Sequence, residues 1–170
     1  PLFMHSIEKA KKSKLFKKIV LVTNKQIKIP NVDVVKGGRE RSDSSINALK
    51  YLQNKKIKNV FIHDAARPNF SIKLLKDISK NLKNNKAVVP IVSPKDSIKY
   101  KVKNQIYNVN RKRSLLTQTP QAFRFKELYN LALYQKNKIN DEASLFIDHN
   151  YKIKFISGEN QNNKITYLND

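Results

Sequence analysis

The residues best suited to chemistry stand together in the run His63-Asp64-Ala65-Ala66-Arg67-Pro68, directly after the apolar stretch Asn59–Ile62. A short β-branched and aromatic stretch that ends at a charged cluster predicts a buried parallel strand, and open α/β sheets bind ligands at the carboxyl ends of such strands. Asp64 and Arg67 would suit a metal-bound phosphate, because a carboxylate can face the cation and a guanidinium the phosphate oxygens. A solvated turn, with Asp64 capping a helix and Arg67 paired to it, explains the same six residues.

The elements that must position this cluster alternate between strands and helices. Continuous apolar runs predict buried strands, and apolar residues at helical spacing predict amphipathic helices. This alternation is typical of βαβ units, so we predict an α/β fold with a doubly wound, mostly parallel sheet. The predicted strands cover 18–23, 32–35, 59–63, 87–92 and 152–156. The predicted helices cover 2–13, 71–84, 124–137 and 141–149, and a further predicted helix is capped by Ser42 or Asp43 and extends to Leu52.

The alternation stops over residues 94–120, which contain the short alternating pieces Ser97-Ile98-Lys99 and Gln105-Ile106-Tyr107. These pieces have too little apolar content to build a core of their own. We therefore expect a β-arm that packs on a partner, which in a homo-oligomer is a second copy of the chain. The whole of 1–170 is predicted to be one domain, with the β-arm at about 94–120.

The charge is strongly basic, with 35 Lys and Arg residues against 13 Asp and Glu residues and a formal net charge of +22. Such a surface attracts polyanions. However, the lysines are scattered among asparagines through every segment, and arginine, the preferred reader of bases and phosphates, is scarce. We therefore expect no nucleic-acid partner; phosphorylated small substrates would experience the same attraction.

Other features limit the cellular setting. The chain has no cysteine, which excludes a disulfide framework and a cysteine-based zinc site. No apolar run approaches the roughly 20 residues that a membrane span requires. We expect a cytoplasmic protein without a membrane partner. The chain begins at Pro1 without an initiator methionine and ends at Asp170 without a closing element, so we expect it to be cut from a longer protein.

Six clusters of polar residues occur in an order and spacing that are specific together, although each is weak alone. They are 37–44 (GGRERSDS), 63–68 (HDAARP), 94–99 (PKDSIK), 118–123 (QTPQAF), 141–144 (DEAS) and 162–166 (NNKIT). In these clusters the chain resembles the 2-C-methyl-D-erythritol 4-phosphate cytidylyltransferases of the non-mevalonate isoprenoid pathway, over its whole length. The resemblance implies a Rossmann-like nucleotidyltransferase that moves a cytidylyl group from CTP to methylerythritol phosphate, releases pyrophosphate and uses Mg²⁺ or another divalent metal.

The resemblance also implies roles for individual residues. Gly38, Arg39 and Ser44 would flank the cytosine, where a small or acidic residue is usual in place of Arg39. Asp64 would handle the metal and the triphosphate, and Arg67 would neutralise phosphate or hold Asp64.

Further implied roles fall on the β-arm and the end of the chain. Lys164 would position the sugar phosphate for attack, although Asn163 replaces the apolar residue that usually precedes that lysine. Arg111 would reach a phosphate in the neighbouring subunit, which would make the enzyme a homodimer. Ser97, in place of a usual threonine, and Thr119 would each supply a hydroxyl. For Asp141 and Glu142 we favour a structural role at a helix start.

The family carries a glycine-rich, basic phosphate loop after its first strand, and this chain lacks one. Its three glycines are Gly37, Gly38 and Gly158, which stand elsewhere. We expect residues 1–170 to lack the first strand and the triphosphate cradle, and therefore to be unable by themselves to turn over CTP.

Two alternatives remain open at this point. A ribitol 5-phosphate cytidylyltransferase would share the Gly-Gly turn and QTPQ, although the HDAARP and DEAS forms favour methylerythritol phosphate. A noncatalytic basic module for RNA or another polyanion would interleave aromatic and basic residues on an exposed strand. Fusion of the parent to a cyclodiphosphate synthase, as in some bacteria, is compatible with an end at Asp170.

Overall fold

The computed structural model of the protein describes residues 1–135 and 140–166. Within them strands and helices alternate largely as the apolar pattern predicts, and the last two residues of the predicted helix 124–137 lie outside the described residues. The helices are α1 (Leu2–Ser13), α2 (Arg41–Leu52), α3 (Ile72–Leu82), α4 (Phe125–Leu133) and α5 (Glu142–Asp148). The strands are β1 (Val20–Val22), β2 (Asp33–Val35), β3 (Asn59–Ile62), β4 (Ala87–Val92), β5 (Lys99–Val102), β6 (Gln105–Asn108), β7 (Leu116–Thr117), β8 (Gln121–Arg124) and β9 (Lys154–Ser157).

The start of α2 differs from the prediction. Glu40, in extended conformation, is the N-cap, and its backbone N–H donates to Oδ2 of Asp43 at 3.1 Å. Asp43 is thus the third helical residue and closes a capping box. The prediction of Ser42 or Asp43 as the cap was wrong by two or three residues, because an acidic N-cap with an acidic third residue satisfies the free N–H groups equally well.

The sheets are mixed, which corrects the prediction of a mostly parallel sheet. Parallel pairing joins β1 to β2 and β4 to β9. Antiparallel pairing joins β8 to both β3 and β4, β7 to β4, and β5 to β6. The physical reason is β8: the chain returns from the β-arm in the opposite direction and inserts a short strand between β3 and β4, so the two strands that the βαβ pattern would make neighbours are separated.

Helices cover both faces of the main sheet, as the α/β prediction requires. Because successive side chains on a strand point to opposite faces, Ala87 and Phe123 join a core with α2, α4 and α5, whereas Val88 and Ala122 join a core with α3. α3 supplies Leu74, Leu75, Ile78 and Leu82 at helical spacing, all of them buried. Two cores therefore hold β3, β4 and β8 rigidly from both sides.

The β-arm stands apart from these cores. β5 and β6 form a two-stranded sheet of their own in which every residue is exposed. A short 3-10 turn, Arg111–Arg113, leads back to the main sheet. Within residues 1–135 and 140–166, no helix is long and apolar enough to cross a membrane.

Candidate active site

The candidate site is built around the carboxylate of Asp64, which begins the turn after β3. Three cationic side chains surround it: Arg41 Nε lies 3.3 Å from Oδ1, and Arg67 Nε and Lys164 Nζ each lie 3.9 Å from Oδ2. They come from the start of α2, from the same turn and from the last described segment. The sequence-predicted residues Asp64, Arg67 and Lys164 are therefore brought together, from positions up to 100 residues apart in the chain.

Arg41 is a member of the cluster that sequence reasoning missed. Besides contacting Asp64, Arg41 donates to Glu142 from both terminal nitrogens of its guanidinium. Nη1 lies 3.0 Å from Oε1, and Nη2 lies 2.8 Å from Oε2. Such bidentate pairs are the strong, directional form of the ion pair. Arg41 lies in the predicted Gly-Gly cluster, and a single arginine at a helix start carries no signal that separates it from a solvated residue.

The electrostatics of this bridge depend on burial. Glu142 is only 1 % exposed, while the Arg41 side chain is 34 % exposed. Burial alone would lower the pKa of Arg41, but the hydrogen bonds and charge of Glu142, together with Asp64, raise it. Arg41 thus stays charged while it ties the DEAS helix start to the Asp64 turn.

Arg67 is held by the backbone of the last segment. Its Nη1 donates to the carbonyl of Asn162 at 2.7 Å, and its buried Nε has no hydrogen-bond partner within the described residues. Burial lowers the pKa of Arg67, and the charge of Asp64 opposes that shift. Asn162 is fully buried and donates from its side chain to the carbonyl of Thr119 at 2.9 Å. The Arg67 guanidinium is therefore fixed beside Asp64 with one buried N–H unused in the described part of the chain.

Lys164 reaches the cluster without a strand to carry it. β9 ends at Ser157, and a backbone hydrogen bond from Ile165 N–H to the carbonyl of Ala66, at 2.8 Å, fastens the segment to the Asp64 turn. The Lys164 side chain is 50 % exposed, so its ammonium can approach a ligand from solvent.

Thr119 lies under the same turn. It is buried, and its Oγ1 accepts a hydrogen bond from the Asp64 backbone N–H at 3.0 Å. The predicted hydroxyl is therefore present at the site, where it supports the Asp64 backbone.

The Gly37–Gly38 turn precedes α2 on the same side of the molecule as Arg41. Ser44 Oγ accepts from the Gly38 N–H at 3.0 Å and donates to the Glu40 carbonyl at 3.1 Å. A Cβ on Gly38 would lie 2.1 Å from the Asp43 Cβ, so only glycine fits there. The glycine requirement seen in the structure comes from packing on the helix start, and the Ser44 hydroxyl organises that turn. The side chain of Arg39 is exposed.

Ser97 and Arg111 are not joined to the Asp64 cluster. Ser97 is exposed at the base of the β-arm, and Arg111 Nη1 donates to the Lys95 carbonyl at 2.6 Å. Asp141 has the structural role that the sequence suggested. It caps α5 by accepting from the Ser144 N–H at 3.1 Å, and hydrogen bonds from Gln121, Ser144 and Thr117 lower its pKa against the effect of burial.

A cleft of about 650 Å³ opens beside the cluster. One side is β1 and the other is β3 with the first residues of the following turn, and Arg41, Ser44 and Asp64 all line it. In the described structure β1 pairs with β2 and β3 with β8, so the cleft lies between the two sheets. It is large enough for a small phosphorylated ligand, and its lining includes the cations Lys17, Lys18, Arg41, Lys56 and Lys58.

The described side chains of the site could hold a metal ion only together with a bound ligand that supplies further oxygen atoms. The described part of the chain has no group of three or more His, Cys, Asp or Glu side chains that could hold a metal ion. Mg²⁺ is commonly bound by one or two carboxylates plus substrate phosphates and waters. Asp64 fits that pattern as a single protein ligand.

A basic, phosphate-suited cluster at the carboxyl end of β3, beside a cleft in an α/β fold, defines a nucleotide- or phosphate-binding domain. The comparisons with known proteins make the class specific. The family model described as IspD, 2-C-methyl-D-erythritol 4-phosphate cytidylyltransferase, matches residues 1–170. The chain belongs to this family.

Individual relatives agree. A bifunctional enzyme IspD/IspF from Pelagibacter ubique is 45% identical over 177 aligned positions, covering 100% of this chain and 48% of that protein. The 2-C-methyl-D-erythritol 4-phosphate cytidylyltransferase of Clostridium beijerinckii is 36% identical over 143 positions, covering 81% of this chain and 62% of that protein. The chain thus spans about half the length of the first of these relatives.

Solved structures show the same fold. The 4-diphosphocytidyl-2C-methyl-D-erythritol synthase of Anaerococcus prevotii superposes with a TM-score of 0.87 at 28% identity, over 99% of this chain and 81% of that one. The bifunctional IspDF of Campylobacter jejuni gives a TM-score of 0.84 at 25% identity, over 98% of this chain and 44% of that one. The overall fold of this chain is therefore one already seen in this family.

Proposed function

We propose that the protein transfers a cytidylyl group from CTP to 2-C-methyl-D-erythritol 4-phosphate and releases pyrophosphate. Family membership over the whole chain supports the substrate pair. The observation that carries the proposal is the Asp64 cluster, in which Arg41, Arg67 and Lys164 gather beside a cleft around one carboxylate. Three cations in one place suit a reaction in which both substrates bring phosphate groups.

The reaction asks the protein for positioning and charge stabilisation rather than covalent chemistry. An oxygen of the acceptor phosphate attacks the α-phosphorus of CTP in line, the new P–O bond forms, and the bond to the bridging oxygen breaks as pyrophosphate leaves. Lys164, the most exposed of the three cations, holds the acceptor phosphate, and Arg67 adds positive charge beside Asp64.

Asp64 would hold a divalent metal together with the phosphates, and the metal would supply positive charge against the triphosphate. The residues of this chain do the rest. Arg41 and Arg67 keep the carboxylate in place, and the Thr119 hydroxyl fixes its backbone. Ser97 remains a proposed substrate contact whose place on the exposed arm would require the arm to approach the cleft.

For the base, we propose the turn before α2. Gly38 and Arg39 would contact cytosine through their backbone, since the Arg39 side chain is exposed. The Ser44 hydroxyl already donates to Glu40 and accepts from Gly38, so it would keep the turn in shape or exchange one of these bonds for the base.

The β-arm would form a homodimer. It presents large apolar side chains to solvent, which is the usual mark of an interaction surface. Arg111 would then reach a phosphate bound to the second copy. The exposed apolar residues of this region are Tyr100, Val102, Ile106, Tyr107, Leu115 and Leu116.

Two further statements concern the whole protein. The relatives named IspD/IspF support a parent in which this domain is fused to a cyclodiphosphate synthase. The cysteine-free composition suits a reducing compartment, and we propose the cytoplasm. We also propose that turnover needs a glycine-rich basic phosphate-binding segment in addition to residues 1–170.

The test is pyrophosphate release from CTP and Mg²⁺, with methylerythritol phosphate or ribitol 5-phosphate as acceptor. It is run on the chain and on a form extended at its N-terminus with a glycine-rich basic segment. We expect turnover in the extended form, only with methylerythritol phosphate, and its loss in Asp64→Asn but not in the exposed control Asp77→Asn.

Other results would overturn parts of the proposal. Equal turnover with ribitol 5-phosphate would replace the acceptor. A folded, extended dimer that is silent with both acceptors would refute the catalytic proposal. RNA binding with a steep salt dependence and no CTP binding would then favour a polyanion-binding module.

A further inference from the structure

The turn that carries Asp64 and Arg67 is held from beneath by the side chain of His63. Its Nδ1 lies 3.1 Å from Thr119 Oγ1, and its Nε2 lies 3.1 Å from the Arg67 carbonyl and 3.2 Å from Ser6 Oγ of α1. The ring meets the edge of Phe70 at a centroid distance of 4.6 Å. The His63 side chain thus contacts the Arg67 end of the turn directly and the Asp64 end through Thr119. None of these bonds involves the carboxylate of Asp64 or the guanidinium of Arg67.

The partners determine which ring nitrogen carries the proton. A carbonyl only accepts, so Nε2 must donate to the Arg67 carbonyl. Thr119 Oγ1 already accepts from the Asp64 N–H at 3.0 Å, which leaves its own proton free to donate to Nδ1. The network therefore assigns the neutral tautomer with the proton on Nε2, and the hydrogen bonds run in one direction from the Asp64 N–H through Thr119 and His63 to the Arg67 carbonyl.

The opposite tautomer is unfavourable on both sides. A proton on Nδ1 would let Nε2 accept from Ser6 Oγ at 3.2 Å, but it would leave Nε2 and the Arg67 carbonyl with lone pairs facing each other at 3.1 Å. It would also force the Thr119 hydroxyl to accept twice and to find another acceptor for its own proton. A doubly protonated ring would keep the Nε2 bond to the Arg67 carbonyl but would place the same demand on the Thr119 hydroxyl.

The surroundings keep the ring neutral near pH 7. Burial lowers the pKa of His63 to about 4; the charge of Asp64 and the Arg67 carbonyl oppose this shift, whereas the charges of Arg67 and Lys9 add to it. A neutral ring can serve as acceptor and donor at once, which an imidazolium cannot.

We propose that His63 is a positioning residue: through its Nε2-protonated tautomer it fixes the Asp64 and Arg67 backbone, and so sets the spacing of the carboxylate and the guanidinium toward phosphate. The proposal rests on the proposed cytidylyl transfer for its functional meaning. The hydrogen-bond relay itself is a property of the chain alone, and it can be tested without turnover.

The first experiment reads the tautomer directly. Imidazole nitrogen NMR spectra of the ¹⁵N-labelled chain, which has three histidines, would show His63 as the Nε2–H tautomer at pH 7. Thr119→Ser should preserve that signature, and Thr119→Val should shift the Nδ1 resonance. A His63 signal at pH 7 with the proton on Nδ1, or with both ring nitrogens protonated, would overturn the assignment.

The second experiment separates positioning from general support of the fold. In His63→Phe, a similar ring without hydrogen bonds, amide exchange of Asp64 should accelerate by roughly fivefold or more, the factor for one typical hydrogen bond, while the amides of β3 keep their rates. His149→Phe, remote from the turn, is the matched control. Unchanged Asp64 exchange, or equal acceleration throughout β3, would contradict the positioning role.

The functional arm is kinetic. In the enzyme that turns over CTP, His63→Phe should lower kcat by about tenfold or more with a smaller change in KM, and His149→Phe should leave both unchanged. An equal kcat in wild type and His63→Phe would overturn the functional half of the proposal. If wild type itself shows no turnover, the proposed function fails, while the tautomer and exchange results still decide whether His63 fixes the turn.

Discussion

Replacing Arg41 by methionine would leave the Glu142 carboxylate almost fully buried and without its charged partner. Glu142 is 1 % exposed and receives two hydrogen bonds from Arg41, at 3.0 and 2.8 Å. Each charge-assisted bond is worth about 1.5–3 kcal/mol, and breaking a buried ion pair from one side typically costs about 3–5 kcal/mol. We therefore expect Arg41→Met to lower the free energy of unfolding by about 3–5 kcal/mol at pH 7.

The assay is urea unfolding followed by far-ultraviolet circular dichroism. Glu142→Gln should cost less, because its amide oxygen still accepts from Arg41 and the partly exposed guanidinium keeps contact with water. The double variant should cost less than the sum of the two singles, by about 2 kcal/mol, which is the coupling expected of contacting residues. This cycle stays informative even if Arg41→Met alone is largely unfolded, since the double variant regains stability.

The control is the exposed pair of Lys73 and Asp77, whose side chains are 83% and 46% exposed. Lys73→Met should cost at most about 0.5 kcal/mol, as for other exposed helical pairs. Arg41 does not hold α5 to the Asp64 turn if Arg41→Met lowers the free energy of unfolding as little as Lys73→Met does. The same conclusion follows if the losses in Arg41→Met and Glu142→Gln simply add in the double variant.

Three further outcomes are expected. Burial lowers the folded-state pKa of His63 to about 4, against about 6.5 in the unfolded chain, so the unfolded chain takes up the proton first as the pH falls. Up to about 3 kcal/mol of the stability present above pH 6.5 should therefore be lost by pH 4. Urea unfolding measured across that pH range should show a smaller loss of stability in His63→Phe than in wild type. Gly38→Ala should lower the free energy of unfolding by about 1–3 kcal/mol in the same assay, because its Cβ has no room. Gly37→Ala should lower it less, since the nearest neighbour of its Cβ is a side-chain oxygen 3.2 Å away. Equal losses in the two variants would contradict the packing argument. Asn162→Ala should lower the free energy of unfolding by about 1–3 kcal/mol, because it leaves buried polar groups without hydrogen bonds. Asn163→Ala, at the exposed neighbouring residue, should leave thermal unfolding unchanged. If Asn162→Ala also leaves it unchanged, Asn162 does not support the turn.

Much of the fold could be predicted because its strands and helices have clear apolar patterns. β4, with six apolar residues in a row, has the bounds that the pattern predicts. β8 could not be found that way. It begins with Gln121, a polar residue that is 1% exposed because its side chain donates to Asp141 at 2.9 Å. A pattern that assigns polar residues to loops misses a strand whose polar member has a buried partner, and with it the antiparallel pairing of the sheet.

The candidate site divides in the same way. Asp64 and Arg67 carry a local signal, because both lie within five residues of the end of β3. Lys164 and Thr119 were found only through the family resemblance, since one lysine among many and one threonine have no pattern of their own. Arg41 was missed because its role depends on Glu142, 101 residues further along the chain. Residue types at a site are thus visible in the sequence when they are local, and their partners are set by tertiary packing.

The charge balance of the cluster explains why it needs two carboxylates. Arg41, Arg67 and Lys164 around Asp64, with Glu142 behind Arg41, sum to one net positive charge. Without the carboxylates, three cations would repel one another when no ligand is bound. With them, the cluster is close to neutral when no ligand is bound. Arg67 Nε and Lys164 Nζ lie 3.9 Å from Asp64, beyond hydrogen-bonding distance, so an arriving phosphate can attract these two cations without breaking a hydrogen bond. The short, bidentate bonds between Arg41 and Glu142 would remain. The strong bonds between Arg41 and Glu142 thus hold the protein structure in place, and the weak contacts of Arg67 and Lys164 leave those two cations ready for a ligand. A site preorganised for phosphate transfer requires this arrangement.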